Sequence, residues 1–238
     1  MAAPGDIWLI LPTYDEASNV EHIVRAAHEQ LPAGATILIV DDNSPDGTGA
    51  IADRLAEDLP GVEVLHRPRK EGIGPAYVAG IRRALDAGAE LVAQMDADFS
   101  HDPADLPRLI AAADDADLVL GSRYTHGGSV TDWGPLRRAI SRGGSAYARV
   151  VLGVPVRDLT GGFKVFRRAV LEAIDLDTIS STGYAFQVET TYRAAEAGFR
   201  VVEVPITFTE RRVGESKMTG GIVLEAALKV PGMRVRNR

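Results

Sequence analysis

The 238-residue sequence contains no cysteine. This absence excludes disulfide bonds, zinc sites with thiolate ligands and enzymes that use a cysteine nucleophile. It also fits a protein of a reducing compartment. Any reactive site must therefore be built from other side chains, chiefly carboxylates, histidines and cationic groups.

The sequence also lacks long hydrophobic runs and an excess of positive charge. No apolar stretch reaches the ~18 residues of a membrane span, and the N-terminus has no basic stretch followed by an apolar one. The net charge of −7 and the pI near 5.3 argue against a protein that binds nucleic acid through its overall charge. We therefore expect a cytoplasmic protein, either soluble or peripheral at the cytoplasmic face of the membrane.

Two glycine-rich phosphate-binding motifs are missing as well. No Gly-x-Gly-x-x-Gly or Gly-x-x-x-x-Gly-Lys-Ser/Thr follows a predicted strand, which disfavours a dinucleotide-dependent dehydrogenase and a P-loop NTPase. What the first 124 residues do contain is an alternation of short apolar runs with amphipathic helical patterns. The runs are predicted strands at residues 6–11, 36–40, 62–65, 91–96 and 117–120. This alternation predicts an α/β fold with a mostly parallel sheet and helices on both faces.

One of these predicted strands ends in two carboxylates. The apolar run at residues 91–95 leads directly into Asp96-Ala97-Asp98. Residues two apart in an extended chain point the same way, so both carboxylates can face one cation. Carboxylate oxygens suit Mg²⁺ or Mn²⁺, which complete their coordination with substrate phosphate. The alternative reading is a pair of solvated aspartates that cap the following helix.

Three polar loops follow predicted strands, and each of them carries carboxylates. They are residues 12–16, 41–48 and 96–99, and in a parallel sheet they open at the same edge. Such an acidic rim is unfavourable unless a cation or a hydrogen-bonding ligand is expected there. Later segments supply basic residues that would balance it if the fold brings them together: Arg123, Arg142, Arg211 and Lys217. A metal combined with fixed cations is suited to a diphosphate leaving group.

A series of motifs makes the chain resemble a known family over nearly its whole length. They are Pro-Thr-Tyr-Asp-Glu (12–16), Val-Asp-Asp-Asn-Ser-Pro-Asp-Gly-Thr (40–48), Met-Asp-Ala-Asp-Phe-Ser-His (95–101), Gly-Ser-Arg-Tyr (121–124), Ser-Arg-Gly-Gly (141–144), Asp-Leu-Thr-Gly-Gly-Phe (158–163), Gly-Tyr-Ala-Phe-Gln-Val-Glu (183–189) and Arg-Arg-Val-Gly-Glu-Ser-Lys (211–217). The chain resembles family 2 glycosyltransferases of the GT-A fold, most closely the dolichol- or polyprenol-phosphate mannosyltransferases. The last four motifs are the more specific to the polyprenol-phosphate branch.

The resemblance implies a Rossmann-like three-layer α/β sandwich that forms one GT-A catalytic domain over residues 1–238. Residues 1–124 would form the half that binds the nucleotide sugar, and residues 125–217 the half that binds the acceptor. Residues 218–238 would add a C-terminal helix and a basic tail. The implied reaction is transfer of mannose from GDP-mannose to a polyprenyl or dolichyl monophosphate, with inversion at the anomeric carbon and with Mg²⁺ or Mn²⁺ as cofactor.

The resemblance also assigns roles to residues of this sequence. The guanosine pocket would be lined by Pro12, Tyr14, Glu16, Val40 and Asp42. Contacts to the sugar nucleotide would come from Asp96, Ala97 and Asp98, and the two carboxylates would hold the ion. The acceptor phosphate would be received by Arg123 and Arg142, of which Arg123 also borders the donor. The donor diphosphate would be clamped by Arg211 and Lys217. The catalytic set is thus Asp96, Asp98, Arg123 and Arg142.

An amphipathic segment in the second half of the chain bears on contact with a membrane. Residues 136–152 place Leu136, Ile140, Tyr147 and Val151 on one helical face and Arg138, Arg142, Ser145 and Arg149 on another. Two readings stay open: a solvated arginine face over a packed apolar stripe, or a basic amphipathic helix at an anionic membrane surface. Some relatives in the resembled family carry C-terminal membrane helices, and this chain resembles the class without them, which relies on peripheral contact or on a membrane subunit. We hypothesise that this helix and the basic tail approach the bilayer.

The sequence departs from the family pattern at two positions, and three alternative functions stay open. Asp15 and Ser145 stand where the family commonly has asparagine. The same machinery would serve a polyprenyl-phosphate glucosyltransferase that uses UDP-glucose, since stereochemistry cannot be read from one sequence. A non-catalytic nucleotide-sugar-binding module and a sugar nucleotidyltransferase are the other rivals, the latter weakened by the lack of a glycine-rich N-terminal loop.

Overall fold

A computed structural model describes residues 3, 6–179, 183–210 and 229–234. In this part of the chain nine strands form two sheets. The strands are β1 (Ile7–Thr13), β2 (Thr36–Asp41), β3 (Val62–His66), β4 (Leu91–Gln94), β5 (Leu118–Ser122), β6 (Ser129–Val130), β7 (Lys164–Arg167), β8 (Val201–Pro205) and β9 (Thr207–Phe208). The central sheet has seven strands in the order β3-β2-β1-β4-β7-β5-β8, and β6 pairs with β9 in the small second sheet.

The central sheet is parallel except where β7 enters it. Strands β1, β2, β3 and β4 pair in parallel, as do β5 and β8. Strand β7 lies between β4 and β5 and runs antiparallel to both, with Ala93 and Val119 each opposite Val165. Strand β8 is at the sheet edge and ends in Pro205, which fits this position because proline has no N–H to donate to a neighbouring strand.

Among the described residues, seven α-helices cover the two faces of this sheet, and residues 229–234 are helical as well. The seven are α1 (Val20–Gln30), α2 (Thr48–Asp58), α3 (Ile73–Asp86), α4 (Leu106–Ala112), α5 (Pro135–Leu152), α6 (Arg168–Ala173) and α7 (Gly183–Glu196). Residues of α1, α2 and α4 share one buried cluster with Leu9 and Leu11, whereas residues of α3, α5, α6 and α7 share the other with Trp8 and Ile10. Successive residues of β1 thus face opposite layers, as the period of two along a strand requires. The predicted three-layer α/β fold with a mostly parallel sheet is confirmed.

The start of α1 differs from the sequence pattern. Ser18 and Glu21 have the spacing of a capping box, but the helix begins one residue later and Asn19 is its N-cap. The Asn19 amide donates to Glu16 Oε2 at 2.8 Å, and the backbone N–H groups of Asn19 and Val20 both donate to the Glu16 carbonyl. Glu16, at the end of the first polar loop, therefore replaces the capping serine, which ties that loop to the helix.

Helix α5 forms where it is predicted, but of its predicted apolar stripe Val151 alone packs against the core, whereas Leu136, Ile140 and Tyr147 do not. Its buried residues are Ser141, Ser145, Ala148 and Leu152. Leu136 is 73% exposed and Val150 74% exposed, and Ile140 and Tyr147 are exposed as well. The small side chains of Ser141, Ser145 and Ala148 let the helix approach the protein closely, and Leu152 is buried with them. Among the described residues, no helix combines the length and the hydrophobicity needed to cross a bilayer.

Candidate active site

A cleft opens at the carboxyl ends of β1, β2 and β4, where parallel sheets commonly bind ligands. Its described lining comes from both halves of the chain. It consists of Pro12, Thr13, Tyr14, Glu16, Asp42, Lys70, Gly72, Ile73, Ala76, Asp96, Ala97, Asp98, His101, Arg123, Thr160, Gly162, Gly183, Gln187 and Phe208. The three polar loops that follow predicted strands therefore do meet at one edge of the sheet.

Each of these loops turns through a residue with positive φ that is not glycine. The residues are Asp15 (56°), Asn43 (60°) and Phe99 (60°), one after each of the three strands. Aspartate and asparagine visit this region more readily than other residues do, whereas an aromatic side chain there is strained by about 1–3 kcal/mol.

The carboxylates of Asp96 and Asp98 are held by neighbouring groups. The Tyr77 hydroxyl donates to Asp96 Oδ1 at 2.9 Å, and the Ser100 backbone N–H donates to Asp98 Oδ1 at 3.0 Å. The backbone N–H of Asp96 donates to His101 Nδ1 at 3.4 Å. Both carboxylates thus have orientations that the surrounding chain fixes before any ligand binds.

Tyr77 reaches Asp96 because α3 packs very closely on β1. A Cβ at Gly80 would lie 2.5 Å from Ile10 Cγ2, so no larger residue fits between this helix and the strand. The Tyr77 ring stacks on Phe186 with 5.9 Å between ring centroids. Burial, together with the Asp96 carboxylate, raises the pKa of Tyr77 well above its ordinary value. Tyr77 is therefore a permanent hydrogen-bond donor to Asp96.

His101 is buried beside the same carboxylates. Burial lowers its pKa below the ordinary value, although Asp96 and Asp98 oppose that shift. Its ring packs between Phe163 and Phe208, with centroids 5.1 Å and 5.3 Å away. A neutral imidazole that accepts a backbone hydrogen bond supports the Asp96 turn.

On the β2 side of the cleft, one carboxylate organises a whole loop. Asp42 accepts from the backbone N–H groups of Glu71 (3.0 Å) and Gly72 (2.7 Å), and it pairs with Arg67. The loop then carries Lys70 over the face of Tyr14, with Nζ 3.5 Å from the ring centroid. This cation–π contact places a positive charge on the rim of a pocket whose lining also contains the carboxylates of Glu16, Asp42, Asp96 and Asp98.

On the opposite side, Arg123 forms a buried two-pronged pair with Asp158. Its Nε donates to Oδ2 and its Nη2 to Oδ1, each at 2.7 Å, and its backbone N–H donates to Oδ2 at 2.9 Å. Nη2 also donates to Thr160 Oγ1 at 2.7 Å. Burial alone would raise the pKa of Asp158, but the Arg123 guanidinium holds it below its ordinary value. The pair is thus ionic and fixes the Arg123 side chain against the cleft.

Helix α5 supports this arginine through its small buried residues. Ser145 Oγ lies 3.1 Å from Thr160 Oγ1, and the Tyr124 hydroxyl donates to Ser141 Oγ at 2.6 Å. Arg142 is exposed, with its guanidinium carbon 5.6 Å from the Tyr124 ring centroid. Ser145, which departs from the family pattern, therefore packs against the Arg123 side of the cleft, whereas Arg142 is exposed.

The structure brings most of the sequence-predicted residues together. Those that line the cleft are Pro12, Tyr14, Glu16, Asp42, Asp96, Ala97, Asp98 and Arg123. Val40 is not in this lining, because its side chain is fully buried in the core against α3. Arg142 is not in it either, and Arg211 and Lys217 lie outside the described residues.

Several lining or supporting residues escape sequence reasoning. Lys70 lies in a loop that reads only as basic and glycine-containing, and Tyr77 reads as one more apolar position of α3. Thr160 and Gln187 belong to two of the family motifs, and this membership is the only feature of the sequence that singles them out. Their positions depend on β7 entering the sheet between β4 and β5, and no local pattern predicts that crossing.

The carboxylate pair fits a hard divalent ion that is shared with a substrate. Within the described ranges, no group of three or more histidine, aspartate or glutamate side chains could hold a metal by itself. Mg²⁺ and similar ions are commonly bound by one or two carboxylates with substrate phosphates completing the shell. Asp96 and Asp98 provide that minimal donor set, and the cations of the cleft lie across from them.

Curated relatives match this chain over nearly all of its length. An undecaprenyl-phosphate mannosyltransferase of Micrococcus luteus is 49% identical over 221 residues, which cover 93% of this chain and 90% of that protein. A polyprenol monophosphomannose synthase of Mycolicibacterium smegmatis is 49% identical over 232 residues, which cover 97% of this chain and 87% of that protein.

Solved structures share the fold at low sequence identity. The glucosyl-3-phosphoglycerate synthase of Mycobacterium tuberculosis in complex with phosphoglyceric acid superposes with a TM-score of 0.72 at 18% identity, covering 95% of this chain and 80% of that one. The same enzyme with Mn²⁺, UDP-glucose and phosphoglyceric acid gives a TM-score of 0.70 over 95% and 79% of the two chains, at 18% identity. The family Glycosyl transferase family 2 matches residues 8–175. Together with the near-complete relatives at 49% identity, this match means that the chain belongs to glycosyl transferase family 2.

Proposed function

We propose that this chain transfers mannose from GDP-mannose to a polyprenyl monophosphate, with inversion at the anomeric carbon. The observation that carries the proposal is that Asp96, Asp98 and Arg123 line one cleft together with Thr160 and Gln187 from the second half of the chain. The names of the two relatives at 49% identity supply the acceptor class and the sugar. GDP as the nucleotide rests on the family resemblance of the sequence.

The donor would lie along the strand ends, and the chain's own groups would orient it. Tyr14, Glu16 and Asp42 would border the nucleoside, and Lys70, over the Tyr14 ring, would add a positive charge near the phosphates. Asp96 and Asp98 suit a divalent ion, and the related fold binds Mn²⁺ together with UDP-glucose. When bound, such an ion neutralises charge on the departing diphosphate. Arg211 and Lys217 remain part of the proposal on the family resemblance alone.

The acceptor would need positioning rather than deprotonation. A phosphate monoester is already anionic at neutral pH, so its oxygen can attack the anomeric carbon without a strong general base. In that single displacement the new carbon–oxygen bond forms as the bond to the GDP β-phosphate oxygen breaks, and GDP leaves with the electron pair. Arg123, held rigidly by Asp158 and Thr160, would fix the acceptor phosphate next to the donor, and Arg142 would guide it from the surface.

Transfer of radiolabelled mannose from GDP-mannose to polyprenyl phosphate tests this proposal. The wild-type chain should form lipid-linked mannose, a chelator should abolish it, and Asp98→Ala should reduce the rate by about 10²–10³-fold, since one charged contact to the leaving group is lost. Asp114→Ala, at an exposed position outside the cleft, is the matched control. A panel that includes UDP-glucose separates the glucosyltransferase rival, and donor binding without any turnover would overturn the enzymatic assignment.

We further propose that α5 rests on an anionic bilayer. Of the five large apolar side chains that are exposed in the described residues, four lie on this helix: Leu136, Ile140, Tyr147 and Val150. Exposed arginines of α5, among them Arg138 and Arg149, accompany them. Apolar side chains with interleaved arginines fit the interface of a membrane with anionic lipids. An acceptor phosphate at the bilayer surface would then lie near Arg142 and Arg123.

Flotation with anionic liposomes tests this second part. Replacing Arg138 and Arg149 by glutamate, or Leu136 and Val150 by asparagine, should weaken binding to vesicles that contain phosphatidylglycerol. Replacing Arg54 and Arg200, exposed elsewhere on the fold, by glutamate changes the net charge equally and should leave binding nearly intact. An equal loss of vesicle binding in both double-arginine variants would mean that the overall charge of the protein, and not α5, governs binding to the membrane.

A further inference from the structure

Gln187 presents a hydrogen-bond donor to the cleft. It lies on α7, is 5% exposed and belongs to the cleft lining. A Cβ built on Gly162 would lie 3.4 Å from Gln187 Nε2 and 3.5 Å from Asp96 Oδ2. The amide nitrogen and the carboxylate oxygen therefore both lie beside Gly162 at the cleft wall.

The orientation of this amide is set by a chain of hydrogen bonds that begins at the main chain. Gln94 is fully buried on β4, and its Nε2 donates to the Gly162 carbonyl at 3.0 Å and to Gln187 Oε1 at 2.6 Å. A carbonyl can only accept, so it fixes which end of the Gln94 amide faces it. The Gln94 amine in turn requires the oxygen of Gln187, and this leaves Gln187 Nε2 on the side of Asp96.

The backbone of Gln187 is held as firmly as its side chain. Lys164 Nζ donates to the Gln187 carbonyl at 2.8 Å and to Thr190 Oγ1 at 3.0 Å. Gln94 Oε1, by contrast, has no hydrogen-bond partner in the described residues. An orphaned buried acceptor weakens a fold, so this arrangement is better explained by what it does at the cleft than by stability.

We infer that Gln187 binds a hydroxyl group of the hexose that is being transferred. A sugar hydroxyl accepts one hydrogen bond and donates another, and Gln187 Nε2 and Asp96 Oδ2 supply the complementary donor and acceptor from neighbouring positions. The inference rests on the proposed function, because it takes the ligand of the cleft to be a sugar nucleotide. It makes Gln187 a residue that recognises the sugar, and Gln94 the positioning residue that keeps its amide from flipping.

Binding of a nucleotide with and without its sugar tests this inference. Titration calorimetry with GDP and with GDP-mannose, each with Mn²⁺ present, measures the two affinities. Gln187→Met should lower the affinity for GDP-mannose about tenfold and change the affinity for GDP by less than about twofold. Gln94→Met should lower the affinity for GDP-mannose by a smaller factor, since the Gln187 amide is still present but has lost its hydrogen bond from Gln94. Gln30→Met, an exposed glutamine on α1, is the matched control. Thermal unfolding confirms that each variant is folded.

A series of GDP-mannose analogues, each lacking one hydroxyl, locates the contact. Wild type should bind one of them about tenfold more weakly than GDP-mannose, and Gln187→Met should bind that analogue and GDP-mannose equally. Equal loss for GDP and GDP-mannose, or the same loss with every analogue, would overturn the inference and give Gln187 a structural role.

The failure of the inference and the failure of the proposed function give different results. If the wild type binds GDP-mannose but transfers no mannose, the proposed reaction is contradicted. The comparison of GDP and GDP-mannose binding still tests the role of Gln187 in that case. If GDP and GDP-mannose do not bind at all, UDP and UDP-glucose serve as the second pair of ligands. An unchanged discrimination in Gln187→Met with both pairs contradicts the inference outright.

Discussion

The two sides of the cleft hold their charged groups in different ways. On the side where we propose that the donor binds (the donor side), Asp98 accepts from the backbone N–H of Ser100, and Asp42 accepts from the backbone N–H of Gly72 in the loop after β3. On the side proposed for the acceptor (the acceptor side), the Arg123 guanidinium is oriented by the side chains of Asp158 and Thr160. Backbone donors remain in place when a side chain is replaced, whereas the Arg123 guanidinium depends on the side chains of other residues.

The largest expected effect comes from breaking the buried ion pair of the acceptor side. Asp158→Asn removes the carboxylate that faces Arg123 in a site where both side chains are at most 4% exposed. Loss of one partner of a buried pair costs about 3–5 kcal/mol, because the remaining charge stays desolvated. Urea unfolding should show this loss of stability, and mannose transfer should fall with it.

Asp42→Asn on the donor side is the matched comparison. An asparagine oxygen can still accept from the Gly72 backbone N–H, and Arg67 keeps Glu71 as a partner. We expect a cost of roughly 1–2 kcal/mol, typical of weakening hydrogen bonds to a charged group. Equal losses of stability in Asp42→Asn and Asp158→Asn would remove the distinction between the two sides.

A smaller effect, on the pH dependence of stability, is expected at Lys164. Complete burial lowers its pKa well below the ordinary value near 10.5. Between the folded and unfolded pKa values the unfolded chain binds more protons, so the free energy of unfolding rises with pH by up to ~1.4 kcal/mol per pH unit. This contribution is complete above pH 10.5 and is lost as the pH falls toward the folded pKa.

Lys164→Met should therefore flatten the rise in stability on the alkaline side of neutrality. Denaturant unfolding at a series of pH values measures the slope directly. Lys70→Met removes a lysine from an exposed position and should leave the slope as in the wild type. If Lys164→Met kept the wild-type dependence of the free energy of unfolding on pH, the buried Lys164 side chain on β7 would not be the source of that dependence.

The same contrast explains what the sequence predicts about this molecule. The strands, the parallel sheet and the convergence of residues 12–16, Asp42 and Asp96–Asp98 follow from local patterns, because a strand end determines where its loop opens. Val40 illustrates the limit of this logic, since it precedes the loop and its side chain lies in the core. The pairing of Arg123 with Asp158 depends on β7 running antiparallel between β4 and β5, and the sequence of β7 does not specify its neighbours.

Helix α5 shows a second limit, because periodicity gives the faces of a helix but not which face is buried. Its apolar residues and its small residues both recur at helical spacing, and a reading based on hydrophobicity alone chooses the wrong one. The Ser145–Thr160 contact explains the actual choice: small hydroxyl side chains let the helix approach the acceptor side of the cleft and bond to it.

The smallest expected effect tests the orientation of this helix. Replacing Leu136 and Val150 by asparagine should change the free energy of unfolding by less than about 0.5 kcal/mol per site, as expected for exposed positions. Ala148→Asn introduces the same side chain on the buried face, where Ala148 is 2% exposed, and should cost several-fold more because it overpacks the core and buries an amide. Urea unfolding of the variants gives both numbers under one condition. A large loss at Leu136 and Val150 with little change at Ala148 would mean that α5 packs through these large apolar side chains, and it would remove the exposed surface on which the membrane proposal depends.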